Sequence, residues 1–135
     1  MHVAGYSAGG LQAGAMVFMR SNYLASAIVY SGGKGAGASG FQDTNNVPSV
    51  VFAHGAMGAD VFIIDFAVQS ANMAKKLIAK DGFVVDCDDG GGHVDFGRLG
   101  LGGHAVDFFE THGYRKNDYG ALLPSGWPTS CKILP

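Results

Sequence analysis

Ser7, Asp60 and His93 carry the groups from which a serine nucleophile is assembled, and they occur in a meaningful order. A serine hydroxyl is a poor nucleophile until a base takes its proton, and an imidazole base needs a carboxylate to fix its tautomer. Ser7 lies in Gly5-Tyr6-Ser7-Ala8-Gly9, which satisfies G-x-S-x-G, the pattern of a strained strand-to-helix turn that exposes a serine. The string alone is weak in a chain with 22 glycines, because chance supplies it easily. Its setting adds weight: an apolar run precedes it and a helical pattern of small residues follows. On such a scaffold the acid and the base come later, each just after a strand. Asp60 follows the run Val50-Val51-Phe52-Ala53, and His93 follows Phe83-Val84-Val85. Order and placement thus select Ser7 as nucleophile, His93 as general base and Asp60 as the orienting acid.

Other residues have simpler uses. Asp65 precedes a helical pattern and is better spent as its N-cap. His54 ends a strand, where a structural or pocket-lining role suits it better than that of base. With Tyr6, the neighbour of the nucleophile, it is a candidate substrate contact. His104 and His112 fall on the last helical pattern, and Asp88 and Asp89 are too near His93 in sequence to reach across to it easily. Asp86-Cys87-Asp88-Asp89-Gly90 has the start of a calcium loop but no acidic residue where the twelfth ligand belongs, so no metal site is expected. Gly35-Ala36-Gly37-Ala38-Ser39-Gly40 satisfies G-x-G-x-x-G, yet no helix follows it, and a dinucleotide site is not supported. Cys87 and Cys131 lack metal-ligand spacing; two free thiols and a single disulfide both fit.

The elements that must hold these residues can be read from the apolar runs. Those at 2–6, 27–30, 50–53 and 83–85 are short and uniformly apolar, as buried parallel strands are. Helical spacing covers Gly9 to about Tyr23, Phe66 to Lys80 with Gly82 as C-cap, and Gly103 to His112. Strands alternating with helices predict an α/β fold with a parallel sheet of about four strands and flanking helices. The connection from Gly32 to Pro48 is glycine-rich and has no helical period. The tail from Leu123 to Pro128 reads as irregular, anchored by Trp127.

Composition narrows the field. A chain of 135 residues with 47% hydrophobic and 15% charged residues reads as one packed domain over 1–135. A net charge of -2 gives no electrostatic case for nucleic acid or an anionic membrane as partner. No apolar run approaches the roughly 18 residues of a membrane span, and no signal-peptide pattern is visible, so the chain as it stands reads as cytoplasmic with its localisation open.

The elbow, the segment His54-Gly55-Ala56-Met57-Gly58-Ala59-Asp60 and the segment Cys87-Asp88-Asp89-Gly90-Gly91-Gly92-His93 resemble the catalytic half of the α/β-hydrolase fold. They are most similar to esterases of the polyhydroxybutyrate-depolymerase type. The stretches Phe108 to Tyr114 and Leu123 to Pro128, with Cys131, are similar to the ends of those proteins. The resemblance implies a serine carboxylesterase that works through an acyl-enzyme, needs no cofactor and takes a small ester as substrate. It also implies a truncated fold beginning at the elbow strand, with the Ala8 backbone N–H as one oxyanion donor and the second, normally supplied by an earlier loop, left out. Loss of one such donor costs about 10²–10³ in rate in a known hydrolase, so slow turnover is expected. The alternative is a non-catalytic half-domain that binds or assembles. In either case the first strand has one partner only and no lysine or proline along it, which predicts a homo-oligomer, most simply a dimer.

Overall fold

The computed structural model describes residues 1–93, 97, 99–116 and 123–135. In chain order the elements are β1 (His2–Tyr6), α1 (Ala8–Met19), β2 (Ser26–Tyr30), β3 (Ser49–His54), α2 (Phe66–Ile78), β4 (Val84–Asp88), α3 (Gly102–Thr111) and β5 (Cys131–Ile133). They form one five-stranded sheet in the order β1-β2-β3-β4-β5. The first four strands pair in parallel, and β5 pairs with β4 antiparallel. The α/β architecture expected from the sequence is present, with one strand more than the four apolar runs indicate.

Side-chain alternation divides the core into two. Ala27, Val29, Val50, Phe52 and Val84 face α1 and α2, where they meet Val17, Phe18, Met73 and Leu77. Ile28, Tyr30, Val51, Ala53 and Val85 face the other way, toward Leu101 and Phe108. Every residue of β2 and β3 is buried, as strands covered on both faces must be. α2 owes its helix to a buried stripe, Phe66, Ser70, Met73, Ala74 and Leu77, and to good ends. Asp65 caps it by accepting from the Val68 N–H, and Lys75 and Lys76 suit the negative end of its dipole. That hydrogen bond, with a second from the Gly58 N–H, holds the Asp65 carboxyl below the usual carboxylate range.

α1 is a different kind of helix. Gly9, Gly10 and Gly14 weaken it intrinsically, and packing supplies the stability. It lies so close to the sheet that side chains are excluded at the contact. A Cβ on Gly5 would run into the Gly9 carbonyl, and one on Gly10 would stand 2.6 Å from the Tyr30 carbonyl oxygen. The helix ends at Met19, four residues short of the sequence estimate, with Arg20 as its C-cap. The connection from Gly32 to Pro48 is irregular as expected. Buried Asn46 fastens it, donating to the Ser21 and Leu24 carbonyls and accepting from the Arg115 N–H.

The tail from Leu123 to Pro128 is irregular as expected, and β5 follows it as a strand the apolar runs did not indicate. All three residues of β5 pair with β4, the register sets Cys131 directly opposite Cys87, and the two cysteines form a disulfide. Trp127 does anchor the segment before it, packing near His104 and Phe108. β4 also runs further than the apolar run, through Asp86 to Asp88. Among the described residues no helix is long and apolar enough to cross a membrane.

Candidate active site

The carboxyl ends of β1, β3 and β4 lie on the side of the sheet where α/β proteins place ligands. The turn after β1 brings Ser7 there. Its φ of 55° and ψ of -116° put it in a region a non-glycine residue rarely adopts, at a cost of about 1–3 kcal/mol. The Ser7 N–H continues the β1–β2 ladder by donating to the Tyr30 carbonyl at 3.0 Å, while the Ser7 carbonyl already accepts from the Leu11 N–H of α1. One residue therefore belongs to both elements, which leaves it no ordinary backbone conformation. Serine at a helix N-cap usually turns its hydroxyl back onto the first N–H groups. Ser7 makes no such side-chain bond.

The loop after β3 holds Asp60, which is fully buried. Its Oδ2 accepts from the Ser31 hydroxyl at 2.8 Å and from the Gly55 N–H at 3.1 Å. Its Oδ1 accepts from His93 Nδ1 at 2.8 Å. Removing a carboxylate from water costs several kcal/mol, and three donors are what make that burial tolerable. Because an ionised carboxylate can only accept, the bond fixes the His93 proton on Nδ1 and the lone pair on Nε2. The imidazole remains partly open, with its side chain 27% exposed. It is held between the rings of Tyr6 and Phe66, each 4.9 Å away between centroids. Tyr6 is the residue before Ser7, so the ring of His93 rests on the strand end that carries the elbow.

The two loops that deliver acid and base also fasten one another. The Ala56 N–H donates to the Gly91 carbonyl at 2.8 Å, and the Asp89 N–H to the His54 carbonyl at 3.1 Å. A Cβ on Gly55 would collide with the Gly91 and Gly92 carbonyls. Asp88 and Asp89 accept from the Gly90 and Gly91 N–H groups.

His54 lies at 6% exposure with both ring nitrogens occupied, Nε2 on Asp86 Oδ1 and Nδ1 on the Gly55 carbonyl, each at 2.8 Å. Burial alone would push its pKa down. The bonds to Asp86 and Gly55, with the charges of Asp86 and Asp88, outweigh that and raise it. Both ring nitrogens are held within the protein, and the bond to Asp86 ties β3 to β4. Tyr6, the other candidate contact, lies at the site. His104 and His112 sit on α3 and at its C-cap, among Phe108 and Trp127.

Ser31, Gly55 and Phe66 complete the site and were not found from the sequence. Ser31 had one visible signal, a serine closing a buried strand just before two glycines; in the structure its φ is 38°. Beside Asp60 the chain turns Val61, Phe62 and Ile63 outward, the last two 77% and 86% exposed. Among the described residues no group of three or more histidine, cysteine or acidic side chains could hold a metal ion.

Comparison with protein-family models, with curated proteins and with solved structures finds no match to this chain.

Proposed function

We propose that this chain is a serine hydrolase that cleaves carboxylic esters through an acyl-enzyme. The observation that carries the reading is the buried Asp60 carboxylate on Nδ1 of His93, with that ring set against the neighbour of Ser7. On this reading Nε2 of His93 takes the proton as the Ser7 oxygen attacks the ester carbonyl. Asp60 stabilises the imidazolium, and His93 returns the proton to the departing alcohol. Water then attacks the acyl-enzyme by the same route and frees Ser7. The oxygen that gains charge in each step is met by the Ala8 N–H, at the positive end of α1. Phe62 and Ile63 supply apolar surface beside the acid for the acyl or alcohol part of a small ester.

The strand–elbow–helix order, with acid and base after β3 and β4, supports assigning the sheet to the catalytic part of the α/β-hydrolase fold. The similarity to polyhydroxybutyrate-depolymerase-like esterases rests on the same segments. Among the described residues β1 is a border strand of the sheet, which supports a homodimer in which a second copy covers that edge.

The test is a fluorophosphonate probe read by intact mass and peptide mapping. One adduct at Ser7 is expected, and Ser7→Ala loses both the adduct and p-nitrophenyl ester hydrolysis. Labelling elsewhere, or undiminished hydrolysis in Ser7→Ala, overturns the assignment.

A further inference from the structure

The glycine-rich connection after β2 is absorbed by no part of the proposed chemistry, yet it is built into the fold with care. Its start is clamped between the helices. A Cβ on Gly33 would stand 2.6 Å from the Gln69 side chain of α2, and one on Gly35 would stand 2.7 Å from the Leu11 carbonyl of α1. Lys34 lies between these two clamped positions, so its backbone is fixed from both sides. Beyond it the backbone is open, since Gly37 has a φ of 86° and nothing near its missing Cβ.

This connection and α2 enclose a cleft of about 600 Å³. Lys34 enters it from the loop, and Lys75 and Lys76 from the last turns of α2. The neutral part of the wall holds the carboxamides of Gln69 and Asn72 on α2 and the small residues Gly35, Ala36 and Gly37, with Met73 as its one large apolar side chain. No carboxylate lines it, and among the described residues none pairs with the three lysines. Partial desolvation lowers the pKa of Lys34, and the nearby Lys76 ammonium lowers it further. Like charges gathered in a concave place, in a chain of net charge -2, call for a counter-charge from outside.

We propose that the cleft between the 34–37 loop and α2 is a binding site for a small, multiply charged oxyanion, with the anionic groups held between Lys34 and Lys76. Lysine acts as a point charge and does not by itself choose between phosphate and carboxylate, so the chemistry named is a polyphosphate or a polycarboxylate of metabolite size. A nucleotide held on a helix N-terminus is a different arrangement, because β3 and not a helix follows the 35–40 glycines, and Lys75 and Lys76 come from the end of α2 rather than its start. The inference does not depend on the hydrolase reading.

Titration calorimetry with tripolyphosphate and, separately, with citrate tests it, alongside amide NMR of the same samples. Saturable one-to-one binding of at least one of the two is expected, with the largest shifts at Gly35, Gly37 and the side-chain amides of Gln69 and Asn72. Whichever anion binds more tightly names the class. Lys34→Gln with Lys76→Gln should weaken the dissociation constant at least tenfold while the melting temperature holds, both residues lying outside the core. Lys80→Gln with Lys132→Gln, away from the cleft, should leave it unchanged. Absence of saturable binding at millimolar anion overturns the proposal, as do shifts spread over all the lysines or an equal loss in the two double variants.

Discussion

Replacing Asp60 with asparagine separates the orienting role of the carboxylate from its size. The outcome can be worked from the contacts. Two donors, the Ser31 hydroxyl and the Gly55 N–H, converge on Oδ2, and among the described residues only His93 meets Oδ1. An asparagine must put its carbonyl oxygen where the two donors point, since the reverse flip would aim its NH₂ at a buried N–H. An orphaned buried donor costs about 1–3 kcal/mol. Its NH₂ is then directed at Nδ1 of His93, which has to accept, so the proton moves to Nε2. The imidazole keeps its position and loses the lone pair that the proposed mechanism requires for Ser7. The equivalent change in a known serine protease lowers kcat about 10⁴-fold by installing the wrong tautomer, and a loss of that order, about 5.5 kcal/mol, is expected here. The assay is steady-state hydrolysis of p-nitrophenyl acetate, with the rate of fluorophosphonate labelling measured in parallel and a thermal melt to show that the fold persists. A folded Asp60→Asn protein with turnover within tenfold of the parent would refute both the flip argument and the role of Asp60.

Three further outcomes are expected. The Cys87–Cys131 bond spans 44 residues, so Cys87→Ala with Cys131→Ala should lose about 4 kcal/mol in denaturant unfolding, by the closure entropy of that loop. His54 has a raised pKa, so its bond to Asp86 stabilises fully below the unfolded histidine value of about 6.5 and fades as pH rises through the higher folded value. The stability of the parent should therefore decline toward alkaline pH in that window, and Asp86→Asn should flatten the decline while costing about 1.5–3 kcal/mol at pH 6. Sedimentation across a dilution series should show a dimer that dissociates, and a monomer at every concentration would count against pairing at β1.

How much of this was legible in the sequence depended on whether a feature is local. The elbow, the Asp65 cap and the three helices could be read because chain neighbours decide them: small residues after a strand, an acid before an apolar stripe. β5 could not. Cys131-Lys132-Ile133 is three residues with a lysine in the middle, and only the neighbouring β4 makes it a strand. The state of the two cysteines was open for the same reason, because the register that sets Cys131 against Cys87 is a property of the sheet. His54 was left between a structural and a pocket-lining role because its partner lies 32 residues away. Asp86, an acid inside an apolar strand, was the one sign that something across the ladder had to meet it. Ser31 escaped because its use depends on how the Asp60 loop folds back over β2.

The two borders of the sheet are unlike. One is β1, five residues long, with no charge along it and α1 packed against it. The other is β5, three residues long, with the exposed Lys132 at its centre and a covalent tie to β4. If copies pair at β1 as proposed, the molecule has, in polymer terms, a valence of one. Two copies joined border to border at β1 would present β5 on both outer sides, and addition would stop there. Reduction would change that arithmetic. With the tie cut, β5 can peel away and uncover β4, giving each copy a second template. Association that ends at two under oxidising conditions would then become open-ended.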